Sequence, residues 1–210
     1  MINIDATTSR LTQRQLQAVQ TTADLKAAAR VVFARQGYLN TKITDITSEA
    51  GRAAGSFYNH FEGKEEVLAA LAVDIGADAD EFASSPPDPP ANTSTVSIHD
   101  STRTHVAVFW HTYAANRDVF AAIEQASLAN SAFAEQMRAF RAEQLQPWIS
   151  WLTELAGRGA RLPADPAVTA AMIAATAETM IQSWHGDPEI GIDSLTDFVA
   201  AGLSAGLDPR

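Results

Sequence analysis

Cysteine is absent from the 210 residues of this chain, which excludes disulfides, thiolate metal sites and thiol nucleophiles. No apolar run approaches the roughly 18 residues of a membrane span, and the opening MINIDATTSRLTQRQLQ has no apolar signal core. The expected setting is therefore the cytoplasm, with no membrane partner. His99, His105 and His111 are spaced by six, which sets neighbours about 120° apart around a helix. Metal-binding pairs need a spacing of three or four, so no metal is expected. No serine elbow, His-Glu-x-x-His, P-loop or Gly-x-Gly-x-x-Gly is present, so neither a cofactor nor an enzymatic activity is expected.

Basic residues are also scarce, 15 Lys/Arg against 25 Asp/Glu for a net charge of −10, but their distribution is uneven. Residues 10–66 hold eight Lys/Arg against six Asp/Glu, whereas residues 67–210 hold seven against eighteen. An acidic body with a mildly basic head suits a protein that meets a polyanion at one end.

Alternating β-branched runs are few, and Ala-rich stretches with three-four spacing dominate, so the chain reads as all-helical. Leu25, Ala28, Ala29, Val32 and Phe33 form one stripe, ended near Gln36 by Gly37. Short helices follow around Ile43, Ile46 and Ala50 and around Phe57, Tyr58 and Phe61. A longer helix runs from Lys64 to Phe82. Ser84 to Val96 packs four prolines into five residues, which stops any helix. Further helices are expected at about 98–115, 117–129, 132–157, 166–185 and 194–205, making about nine. Pro147 should kink or split the longest, Asp165-Pro166 starts one, Asp193 is a candidate cap for the last, and Gly186 and Gly206 are stops. The domains then read as a flexible arm over 1–20, a head over 21–66 and a larger domain over 67–210 with a flexible loop at 84–97.

Within the twenty residues from Ile43 to Glu62, Gly51 is the ninth. A helix-turn-helix needs a sharp turn there, and glycine accepts positive φ. Ile46, Ala50 and Phe57 can lock the two helices, leaving Ala53 to Asn59 to enter a major groove. Thr41-Lys42-Ile43-Thr44-Asp45-Ile46-Thr47-Ser48-Glu49-Ala50-Gly51, followed by Gly55-Ser56-Phe57-Tyr58-Asn59-His60-Phe61 and Lys64, resembles the signature of the TetR family. Leu68 completes it after a one-residue shift. The resemblance covers about residues 20–70 in detail and implies an all-α fold, a three-helix DNA-binding head and a C-terminal domain for ligand binding and dimerisation. It further implies that Thr41, Tyr58, His60 and Lys64 touch phosphates, that Ala54, Gly55, Ser56 and Asn59 face bases, and that Thr44 reaches the groove edge. Arg52-Ala53 stands where the family has Val-Ser. The hydroxyl cap of the recognition helix is lost, at about 1 kcal/mol, and Arg52 is a candidate phosphate contact in its place. Thr47 replaces a small alanine.

All four tryptophans lie beyond residue 98. Aromatic and methionine side chains suit an apolar ligand, so Phe109, Trp110, Tyr113, Met137, Trp148, Trp151 and Trp184 are candidate ligand contacts, with Thr179 and Gln182 (and Glu178 beside them) as polar orienting groups. This aromatic pattern is similar to the EthR branch of the family. Gly202 and Gly206, flanked by Ala201 and Ala205, permit close helix approach, and the resemblance implies a four-helix dimer interface. The reading that follows is a homodimeric repressor that binds double-stranded operator DNA and is released by a small, largely apolar effector. The alternative, a helical adaptor that binds only protein, has no need of Gly51 and Gly55 to Lys64 in register.

Overall fold

The computed structural model describes residues 12–84 and 97–204, which form ten helices and no strand. They are α1 (Gln13–Asn40), α2 (Ile43–Glu49), α3 (Ala54–Phe57), α4 (Lys64–Ser84), α5 (Ile98–Ala115), α6 (Arg117–Ala129), α7 (Ser131–Gln144), α8 (Gln146–Gly157), α9 (Pro166–Ser183) and α10 (Pro188–Ser204). Pro147 does split its helix: it opens α8, and the break from α7 raises the count above nine. None of the described helices is long and apolar enough to cross a membrane. The proline-rich loop expected at 84–97 lies almost wholly outside the described residues.

Two starts differ from the sequence reading. Helix α1 begins at Gln13, so residues 13–20 are not an arm. Thr12 caps it, accepting from Gln15 N–H at 3.3 Å, while the Gln15 side chain accepts from Thr12 N–H at 2.8 Å. Helix α10 begins at Pro188, not near residue 194, because Asp187 accepts from Glu189 N–H at 3.0 Å. Asp193 is consequently not a cap. It lies inside α10 and accepts from Arg103 at 2.9 Å.

The buried side chains form two clusters. The first unites Leu25, Val32 and Phe33 of α1, Ile46 of α2 and Phe57 with Val67, Leu68, Leu71 and Ile75 of α4 and with Val119, Ala122 and Ala126 of α6. The second joins α5, α8, α9 and α10 around Trp110, Leu152, Ile181 and Leu195. Phe120 packs against both. The core of the head thus does not end at residue 66, since α4 and α6 complete it, and α1 packs more extensively on α6 than any other pair of helices does. The small side chains of Ala28, Ala29, Ala122 and Ala126, all buried, allow that close approach.

Helix α1 breaks at Gly37, whose φ of 72° lies in the left-handed region. Gln125 of α6 reaches into that break: its side-chain oxygen accepts from Tyr38 N–H at 3.0 Å and Leu39 N–H at 3.4 Å. A Cβ on Gly37 would stand 3.0 Å from the same oxygen. Gly37→Ala is expected to cost about 1–3 kcal/mol, seen as a Tm lower by roughly 2–4 °C for each kcal/mol. Gly157→Ala, where a Cβ meets nothing within 4 Å, is expected to leave Tm unchanged or raise it.

Candidate nucleic-acid interface and effector cavity

The turn between α2 and α3 is built as a helix stop. Gly51 takes φ 65°, Arg52 N–H donates to Thr47 C=O at 2.8 Å and Gly51 N–H to Ser48 C=O at 3.1 Å. Thr47 is buried and its hydroxyl donates to Thr44 C=O at 3.3 Å, so the larger residue is accommodated at the helix contact. Ala53 caps α3 without a side-chain hydrogen bond. Phe57 and Phe61 are buried with ring centroids 5.7 Å apart, which fixes the opposite face of α3. On that face Ala54, Gly55, Tyr58 and Asn59 are exposed, as is Thr44 on α2, and Ser56 is half-buried. Tyr58 is 62% exposed and rests edge-on against Phe57, a supported hydroxyl pointing to solvent.

Two expected phosphate contacts sit elsewhere. Thr41 is 2% exposed, and its hydroxyl donates to Gly37 C=O at 2.7 Å, so its proton is spent on closing α1. Lys64 is half-buried. Its ammonium donates to Tyr38 C=O at 2.9 Å and Thr41 C=O at 2.6 Å and stands 4.2 Å from the centre of the Tyr38 ring. Burial pulls Lys64 below the ordinary lysine range, while Tyr38, its phenol raised by burial and by Glu65, donates to Glu65 at 2.6 Å. Lys64 therefore satisfies the last carbonyls of α1.

Arg52 and His60 are tied to α1. Arg52 donates to Asp24 at 2.5 Å, which with Gln20 holds that carboxyl below its usual range. Thr22 donates its own proton to Ala18 C=O, so its oxygen accepts from His60 Nδ1 at 3.0 Å. Both residues line a shallow polar depression with Arg14, Gln17 and Gln20. Arg14 lines that depression, and the exposed Lys42 at the start of α2 is a further cation on the surface of the head.

A cavity of about 300 Å³ lies between α4, α5, α6, α7, α8 and α9. Of the expected ligand contacts, Phe109, Tyr113, Met137 and Trp148 line it. The other five do not. Trp110 is buried against Gly191, where a Cβ would meet its ring at 2.3 Å, and lies edge-on to Trp184. Trp184 donates to Asp187 C=O at 3.0 Å, closing the turn into α10. Trp151 stacks on His105 with centroids 4.7 Å apart. Thr179 is exposed and bonded to Ala175 C=O of its own helix. Gln182 stands behind the wall, donating to the Tyr113 hydroxyl at 2.7 Å. Phe120, Phe140, Glu124, Arg141 and Glu178 also line the space. Sequence alone cannot tell a cavity wall from a packed core. Among the described residues no three His, Asp or Glu are placed to hold a metal.

Replacing Lys64 by methionine keeps its apolar stem but strands two carbonyls, at an expected cost of about 1–3 kcal/mol in unfolding free energy. Where Lys64→Met still folds, the salt dependence of its DNA binding should match wild type. Lys42→Ala should instead leave stability unchanged and lower the salt slope by about one.

Residues 25–71 match the family described as "Bacterial regulatory proteins, tetR family". No curated protein sequence matches the chain. Among solved structures, the fatty acid degradation regulator FadR from Bacillus halodurans superposes with a TM-score of 0.71 at 20% identity, covering 87% of this chain and 96% of its own. GusR from Salmonella enterica gives 0.71 at 19%, with 92% and 98% covered. A regulatory protein of the tetR family from Rhodococcus RHA1 gives 0.66 at 21%, with 88% and 97% covered. At these identities they show a common fold through head and C-terminal helices alike. The likeness of the aromatic pattern to the EthR branch gains no support from them. The matched segment contains α2, the Gly51 turn, α3 and the start of α4 described above, so the likeness to the tetR family lies in the helix-turn-helix unit and the helices that flank it.

Proposed function

We propose that this protein is a cytoplasmic, homodimeric repressor that leaves a pseudo-palindromic operator when a small, largely apolar effector fills the cavity. The observation that carries the reading is where the cavity lies. Ile75 of α4, Ile123 of α6 and Met137 of α7 line it from the head's cluster, and Phe109, Tyr113 and Trp148 line it from the C-terminal cluster. A ligand there occupies the seam between the part that meets DNA and the part that dimerises, so it pushes one against the other. Helix α6 carries any shift directly to the head, because Gln125 holds the Tyr38 and Leu39 amides. Reversing a population from 99:1 to 1:99 needs a differential affinity of about 5.5 kcal/mol. A volume of 300 Å³ is at the small end for ligand pockets.

Dimerisation is supported by the outer faces of α9 and α10. Val168, Met172, Ile190 and Phe198 are each more than half exposed, and nothing lies within 4 Å of a Cβ built on Gly202. A single short recognition helix is too small for specific affinity alone, and a two-fold pair would read half-sites roughly 34–36 Å apart.

Gel shifts against the DNA upstream of the protein's own gene, with sedimentation in parallel, test both parts. The wild type should sediment as a dimer at micromolar concentration and retard that DNA. Phe198→Glu should yield a helical monomer whose operator affinity is at least about a hundredfold weaker. A monomeric wild type, or a monomeric variant with undiminished affinity, contradicts the reading.

A further inference from the structure

We propose that the cavity is built for a lipophilic cation, an apolar body bearing one positive charge. The inference rests on reading the cavity as the effector site and names the chemistry of its occupant. Aromatic rings make up much of its wall. Tyr113 and Phe120 stack with centroids 4.4 Å apart at 6°, and Phe109 lies 6.2 Å from Tyr113 at 20°. Trp148 closes on Phe109 edge-on at 6.4 Å. Ring faces attract a cation and repel an anion.

The charges on the wall carry the same sign of preference. Two carboxylates, Glu124 and Glu178, and one guanidinium, Arg141, line the cavity. Arg141 is already paired with Glu178. Glu124 has no cationic partner among the described residues, and the only hydrogen bond to its side chain there is a long one of 3.4 Å from Gln182. The same Gln182 amide donates to the Tyr113 hydroxyl at 2.7 Å, so the uncompensated carboxylate stands beside the aromatic wall. Burial raises the Tyr113 phenol and the Gln182 hydrogen bond lowers it, while both carboxylates push it up against Arg141. A carboxylic acid entering this space would meet a net negative wall, and it could recruit Arg141 only by displacing Glu178. An organic cation meets the aromatic wall and the exposed Glu124 carboxylate without breaking any existing pair.

The test compares three probes of similar bulk on the full-length protein, followed through intrinsic tryptophan fluorescence and by equilibrium dialysis. Benzyltrimethylammonium carries the charge, neopentylbenzene is its neutral carbon isostere, and 4-phenylbutyrate is an anion of similar bulk. The cation should bind at least about tenfold more tightly than the isostere, with the anion weakest. Glu178→Gln frees Arg141 and should invert the order, placing the anion ahead of the cation, while Glu124→Gln should bring cation and isostere close together. An anion that binds wild type as tightly as the cation overturns the proposal, and so does a Glu178→Gln variant that keeps the wild-type order. If none of the three binds at millimolar concentration, the effector-site reading itself fails, and this proposal with it.

Discussion

The structure depends on the packing of α1 against α6, a helix of the DNA-binding head against a helix of the larger domain. A head of one long helix and two short ones buries too little apolar surface to be rigid alone, and here its core is finished by Val119, Ala122 and Ala126 of α6 together with the first turns of α4. The Gly37 break gives that joint a polar lock as well. Gln125 takes the amides that the broken helix leaves open, and Lys64 takes its carbonyls. Fixing both kinds of group removes the freedom the α1 end would otherwise keep.

The cost of this arrangement is a second seam, where the head's enlarged core meets the cluster around Trp110 and Leu152. Among the described residues only Phe120 packs against both clusters, and the space beside it is the cavity. A packed interior transmits displacement poorly by compression and well by shifting whole elements. On the proposed reading, an occupant of the seam would act on α6 and α4 as rigid levers, and the head would follow because it has no separate core to absorb the movement.

The sequence makes some of this legible. Gly51 had to turn with positive φ, and does. Pro147 split a helix and Asp165-Pro166 started one, with Asp165 accepting from Ala167 N–H at 2.9 Å. Those signals are local, so spacing reveals them. Two equally local signals, Thr12 with Gln15 and Asp187-Pro188, set the starts of α1 and α10 earlier than the hydrophobic spacing predicts. The site residues that moved were of another kind. Thr41 and Lys64 occupy signature positions, but which carbonyls come within their reach depends on where Gly37 breaks α1. Trp110 and Trp148 have the same residue type and the same burial class, yet one fills a core against Gly191 and the other faces open space. That distinction is tertiary, and no periodicity encodes it.

The central claim is that filling the seam moves the two DNA heads relative to each other. The absence of cysteine allows a direct measurement, since Asn59→Cys on the exposed face of the recognition segment would carry the only spin label in each subunit. Electron–electron distances between the two labels can then be compared with and without Ala174→Phe, which places a ring in the cavity from α9. With helical content and dimerisation retained, the account predicts a shifted distance distribution and weaker operator binding in the filled variant. An unchanged distribution in a folded, filled dimer would contradict it.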